Sequence, residues 1–163
     1  MLSALVALSE NRTIGKNGKL PWHITEDLKF FRQVTMDHPM VMGRKTFDAL
    51  PHVLDGREHL IVTHNREFVL DHPQVHIIHD IQWIIDTYKD TPGEVFVIGG
   101  GEIFQHLLPH CHKLYLTLIH AHIAGDTYMP AIDLSNYHMF HQSEKKYDEA
   151  SGLSYTFKFY QAL

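Results

Sequence analysis

Residues 94–108 read "EVFVIGGGEIFQHLL". The first half, "EVFVIGG", is a continuous apolar run. A strand of that kind is buried on both faces, as in a parallel sheet. Three glycines, Gly99, Gly100 and Gly101, then lead into the helix "GEIFQHLL". Glycines between a buried strand and a helix permit close approach of the backbone to a pyrophosphate or a planar ring.

Outward from this unit the same alternation repeats. "LSALVAL" is a first strand that ends around Ala7. A long polar loop follows, "SENRTIGKNGKLPW", and then the helix "EDLKFFRQVT" with Thr25 as its N-cap. "PMVMG" is a short strand, and "RKTFDAL" a short helix ended by Pro51. "EHLIVTH" and "QVHII" are strands, and "DIQWIIDTYK" is a helix. That helix sets Ile81, Ile84, Ile85 and Tyr88 on one face, with Trp83 beside them in the core. "KLYLTLI" is a further strand, and the tail 138–163 reads as two strands around a turn near Ser151 and Gly152. The pattern predicts an α/β protein: a single domain over 1–163, with a mostly parallel central sheet, an antiparallel C-terminal edge and about four flanking helices.

Composition narrows the function classes. With 14 Lys+Arg against 19 Asp+Glu, the net charge of −5 argues against non-specific binding to nucleic acid or an anionic membrane. The lone Cys111 excludes an internal disulfide framework and fits a reducing compartment. "MLSALVALSE" lacks the basic flank and length of a secretion signal, so a cytoplasmic protein is expected. Fifteen histidines raise a metal site, but there is no H-E-x-x-H. "HCH" (110–112) and "HAH" (120–122) put neighbours in sequence on a loop, where they rarely point at one ion. The others, His59 among them, are scattered and read as solvated surface residues, so no metal is expected.

In sheets of this kind, ligands bind beyond the carboxyl ends of the strands. "MGRKT" places Gly43, Arg44, Lys45 and Thr46 at one such end, "VTHNR" places Thr63, His64 and Arg66 at the next, and the triple glycine lies at a third. Neither G-x-G-x-x-G nor G-x-x-x-x-G-K-[ST] is present. The combination points to an anionic dinucleotide, and the clustered cations favour NADP(H) over NAD(H).

The helix "EDLKFFRQVT" carries the sharpest signal for a second ligand. At helical spacing Glu26, Lys29, Arg32 and Gln33 face water, while Asp27, Leu28, Phe30, Phe31 and Val34 face inward. Asp27 is then either a second acid compensating the helix dipole or a half-buried carboxylate with a raised pKa, set to bind a polar edge in an apolar pocket.

With these residues in place the chain resembles bacterial dihydrofolate reductases over essentially its whole length. The likeness rests on "IGKNGKLPWH", "DLKFF", "VMGRKTF", "LDGR", "VIGGGEIF", "LYLT" and "GDTYMP", in that order and spacing. It implies NADPH-dependent reduction of dihydrofolate by an enzyme that antifolates inhibit; a monomer is expected because nothing in the sequence suggests a long apolar exposed face. By resemblance, Asp27 is the acid of the folate pocket, Thr117 supports it, and Trp22 holds a nearby water. Leu5, Val6, Ala7, Leu28, Phe31, Leu50, Leu54 and Ile98 form apolar walls, Phe104 joins the substrate contacts, and Arg57 clamps the substrate's α-carboxylate. The implied NADPH contacts are Ala7, Ile14, Gly15, Gly18, Leu20, Gly43 to Thr46, Thr63, His64, Ile98 to Gly101, Glu102, Ile103, Phe104 and Thr127. Residues 9–24 correspond to a mobile loop that closes over the nicotinamide, with Gly15 and Gly18 as its flexible points. The chain departs from the family pattern at His52 and Val53, where a basic residue and Pro are usual, at Glu102, often Arg, and at Phe104, often Tyr. Two alternatives stand beside this reading: an NADPH-dependent pyrimidine reductase of riboflavin synthesis, and a non-catalytic nucleotide- or metal-binding module.

Overall fold

The computed structural model describes residues 1–163. In chain order the elements are β1 (Leu2–Ser9), β2 (Thr13–Gly15), α1 (Thr25–Thr35), β3 (Met40–Gly43), α2 (Arg44–Ala49), β4 (His59–Val62) and β5 (Val75–Ile78). There follow α3 (Ile81–Tyr88), β6 (Val95–Gly99), α4 (Gly101–Leu107), β7 (Cys111–Ile119), β8 (Thr127–Tyr128), β9 (Tyr137–Gln142), β10 (Lys146–Asp148) and β11 (Leu153–Ala162). The main sheet runs β10-β11-β7-β1-β6-β3-β4-β5, with β9 also paired to β11. Every pairing from β7 through β5 is parallel, while β11 pairs antiparallel with β7, β9 and β10. The α/β sheet with an antiparallel C-terminal edge and four helices is the arrangement expected from the sequence.

Strand alternation sorts the core into two faces. Leu2, Ala4 and Leu8 of β1, Val41 of β3, Leu60 of β4, Val95 and Val97 of β6, and Leu114 and Leu116 of β7 point one way. There they meet Ile84 and Ile85 of α3 and Ile103, Phe104 and Leu107 of α4 in one cluster of 19 buried residues. The odd-numbered positions of β7 from Lys113 onward and the even-numbered ones of β3 and β6 point the other way, toward α1 and α2. On that face the core is divided. One part holds Trp22, Ile24, Ile119, Tyr155 and Phe157, with Phe30 of α1 and Ala7 against it. The other holds Met40, Met42, Ile61 and Val75, with Phe31, Phe47, Leu50, Leu54 and Ile98 against it.

Several local expectations need correction. Helix α1 begins at Thr25, not after it; its N-cap is Ile24, which makes no side-chain capping bond. Ile24 is buried among Trp22, Ile119, Tyr155 and Phe157, so tertiary packing rather than a cap sets the helix start. Strand β1 runs on to Ser9 because it keeps pairing with β7 as far as Ile119. The long loop contains β2, which pairs with β8 in a separate two-stranded sheet. The tail forms three strands, because β9 and β10 pair successive halves of the long β11. Trp83 is 45% exposed and lies edge-on to Tyr88 rather than in the core. No helix is long and apolar enough to cross a membrane.

Candidate active site

Asp27 lies on the α1 side of the sheet, where the buried side chains form two separate clusters, and it belongs to neither. It occupies the first turn of α1, whose inward face continues through Phe31 to Thr35 at intervals of four residues. Opposite it, Ala7 of β1 and Thr117 of β7 are register partners on the same face of the sheet. The Thr117 hydroxyl donates to Asp27 Oδ1 at 2.7 Å. Burial pushes the Asp27 carboxyl up from its ordinary pKa; the Thr117 hydrogen bond opposes that shift, and the neighbouring Glu26 charge adds to it.

Glu26 shows the contrast expected of the two adjacent acids. Tyr155 donates its hydroxyl to Glu26 Oε2, and Lys146 Nζ lies 3.1 Å from Oε1. These contacts, led by Tyr155, hold its pKa below the ordinary value. One acid is paired and ionised at the rim. The other is desolvated, and only its Oδ1 has a hydrogen-bond partner within the protein.

Around Asp27, Leu5 is buried yet belongs to neither half of the core. Phe31, Leu50, Leu54 and Ile98 pack on one of the two clusters, and Ala7 packs on the other, which holds Trp22. Leu28, expected to face inward, is 39% exposed. Val6 and Phe104 lie on the opposite face; Phe104 is fully enclosed in the large cluster and supports the Gly99 backbone from below. Trp22 is buried, and its Nε1–H has no acceptor within the protein.

Arg57 is 3% exposed, which excludes a surface turn residue. Its Nε donates to the Asp55 carbonyl at 3.0 Å, its Nη1 to Thr35 Oγ1 at 3.3 Å, and its Nη2 lies 3.7 Å from the exposed Asp55 carboxylate. Thr35 is fixed in turn by donating to the Phe31 carbonyl at 2.7 Å. Burial and the nearby Arg32 charge lower the guanidinium pKa, and Asp55 only partly opposes this. A buried cation whose one carboxylate partner is solvent-exposed and 3.7 Å away keeps capacity to recognise a second, incoming carboxylate. Thr35 was missed in the sequence; its position eight residues after Asp27, on the same helical face, was the available signal.

The second group of residues gathers at the strand ends. A Cβ on Gly43 would lie 3.3 Å from Ile103, and one on Gly101 would lie 3.0 Å from the Tyr128 carbonyl oxygen. Gly99 has φ of +132°, a conformation that side chains disfavour, and Thr46 Oγ1 lies 3.4 Å from its Cβ position. The three glycines therefore let β3, β6, α4 and β8 meet with backbone exposed at the turn, a cradle that any side chain would fill. Arg44 stacks on Phe68 at 4.2 Å and lies 3.6 Å from Asp48, while Lys45, His64 and Glu102 are exposed at the rim. Thr63 is half-buried and Ile103 buried.

The 9–24 loop docks here through its β2 segment. Ile14 joins the large cluster, and Gly15 packs against Thr127. The backbone N–H of Asn17 donates to Asp126 Oδ2 at 2.9 Å. Gly18 has φ of +75°, and Leu20 is exposed. The loop is thus tied through β8 to the turn at Gly101.

A desolvated acid on α1 and, at the strand ends, a glycine-built turn with cations at its rim fit a two-ligand enzyme, one that takes a heterocycle and a nucleotide. The family model described as dihydrofolate reductase matches residues 1–162. The chain is 34% identical to the dihydrofolate reductase of Bacillus subtilis over 163 residues, covering 99% of this chain and 94% of that protein. It is 34% identical to the Staphylococcus aureus protein of the same name over 156 residues, covering 96% and 94%. A solved structure of dihydrofolate reductase from Enterococcus faecalis, complexed with NADP(H) and RAB-propyl, superposes with a TM-score of 0.90 at 33% identity, covering 99% and 96%. The chain belongs to the dihydrofolate reductase family.

Proposed function

We infer that the protein reduces 7,8-dihydrofolate to 5,6,7,8-tetrahydrofolate with NADPH, supplying reduced folate for one-carbon metabolism. The observation that carries this is the half-buried Asp27, held by Thr117 outside both clusters of the α1 face. A pterin ring presents N3–H and its 2-amino group as a flat edge with two parallel donors. The Asp27 carboxylate accepts both, and the apolar walls from Leu5, Phe31, Leu50 and Ile98 strengthen that pairing. Thr117 fixes the carboxylate rotamer, so the ring takes one orientation. The buried Trp22 Nε1–H is free to hold a water beside the ring, and the proton reaches N5 by that route or by solvent admitted through the 9–24 loop.

The cradle at Gly43 and Gly99–Gly101, with Arg44, Lys45, Thr46, Thr63 and His64 at its rim, fits a 2′-phosphorylated dinucleotide. NADPH supplies, when bound, the hydride taken up at C6. The chain's part is to hold the two rings face to face and exclude bulk water. Arg57 receives the α-carboxylate at the far end of the substrate. Antifolates that present the same two-donor edge compete for Asp27. The whole chain acts as one domain, as a monomer, in the cytoplasm.

Family membership disfavours the pyrimidine reductase of riboflavin synthesis, and neither Asp27 nor Arg57 would have a role there. The test is loss of reduced-nicotinamide absorbance on adding dihydrofolate, with none on adding the riboflavin-pathway pyrimidine. Oxidation with the pyrimidine alone would reverse the assignment.

A further inference from the structure

The segment 54–57 carries two residues of the proposed folate pocket, Leu54 on the apolar wall and Arg57 at the carboxylate. His59, the first residue of β4, is completely buried behind this segment, contrary to the solvated histidine expected from sequence. Both of its ring nitrogens reach back into it. The backbone N–H of Leu54 donates to Nε2 at 3.0 Å, and Nδ1 lies 3.0 Å from the Arg57 carbonyl oxygen. An amide N–H only donates and a carbonyl only accepts. The ring is therefore fixed as the neutral tautomer with its proton on Nδ1.

The surrounding contacts lock that arrangement. Gln74 Nε2 donates to the same Arg57 carbonyl at 3.2 Å, and the His59 backbone N–H donates to the Gln74 carbonyl at 2.7 Å. Phe47 meets the ring edge-on at 6.1 Å. The Arg57 side chain is held from α1 by Thr35, while its main chain is held from β4 by the imidazole. We propose that His59 is a positioning residue: it fixes the Leu54–Arg57 segment and thereby sets affinity for the carboxylate-bearing tail of the substrate. Burial, helped by the Arg57 charge, pushes the imidazole pKa down and keeps the ring in the neutral form that this bridge needs.

The inference rests on the role proposed above for Arg57. Its test compares dihydrofolate with 6-methyl-7,8-dihydropterin, which keeps the pterin edge but lacks the benzoylglutamate tail. His59→Leu removes both bridging contacts and is expected to raise KM for dihydrofolate about tenfold, with kcat changed less than about twofold. KM for the tailless pterin and for NADPH should not move. His59→Gln, whose amide offers one donor and one acceptor, should recover most of the loss. Equal rises for both pterins, a parallel loss of NADPH affinity, or no rise at all overturns the proposal. Should the leucine variant fail to fold, His59→Asn carries the comparison. Its shorter amide reaches the Arg57 carbonyl but not Leu54, so a smaller rise confined to dihydrofolate is expected, and an equal or absent rise overturns the proposal. Failure of the functional reading looks different: wild type would turn over neither pterin.

Discussion

The two faces of the sheet are built from the same strands and finished differently. Under α3 and α4 the core is one continuous cluster, anchored by Phe104, Leu107 and Leu114 with no solvent exposure. Under α1 and α2 it is two separate clusters, and Asp27, Thr117 and Leu5 belong to neither. The first face supplies the stability that lets the second stay incomplete. A broken core with a desolvated acid beside it would otherwise repack into one cluster.

Substitutions on the two faces should therefore fail in different ways. The largest loss of function is expected from Asp27→Asn. Loss of the ionised acceptor should lower turnover near neutral pH by about a hundredfold or more, with NADPH affinity nearly intact. Comparable turnover in mutant and wild type would remove Asp27 from the mechanism. On the continuous face, Phe104→Ala should cost about 3–5 kcal/mol of stability by denaturant titration, while the molecules that remain folded keep near-normal turnover. A variant that folds well but turns over poorly would move Phe104 into the site.

Arg57→Ala should raise KM for dihydrofolate by about ten- to a hundredfold, with little effect on NADPH affinity, and Arg57→Lys should fall between. A smaller effect belongs to the strand ends. Gly101→Ala drives a methyl group against the Tyr128 carbonyl and should weaken NADPH binding by several-fold, about 1 kcal/mol, measured by fluorescence titration. Unaltered affinity would show that the turn yields without consequence.

The smallest effect sharpens the contrast most directly. Asp27 has a raised pKa, so folding takes up a proton between its unfolded and folded values, and the wild type loses stability as pH rises through that window. Asn does not titrate. The melting temperature of Asp27→Asn relative to wild type should therefore increase as pH rises through the window and then level off. Glu26→Gln should show the opposite sign. Its pKa is lowered, so the wild-type advantage is present above the unfolded value and disappears in acid.

Much of this was legible in the chain because it is written in periodicities. Uninterrupted apolar runs such as "VFVIGG" specify a strand covered on both sides, and the spacing of Asp27, Phe31 and Val34 turns one acid inward whatever lies opposite. The tail resisted the same treatment. Strand β11 alternates along ten residues, but no local signal marks that its free edge is shared, Lys158–Ala162 with β9 and Leu153–Tyr155 with β10. Trp83 was misplaced for a related reason: a large apolar side chain next to a helical stripe has no sequence feature saying on which side of the stripe the sheet ends.

By itself, then, the sequence determined the class of fold, the strand ends at which its glycines and cations collect, and the inward acid, since each follows from local period and chain order. Only the tertiary structure decided what stands next to what. It split the core under α1, set Thr117 against Asp27 from 90 residues away, buried Arg57 and turned a histidine into a two-sided brace. Those pairings depend on distances between strands remote in sequence, and no periodicity encodes them.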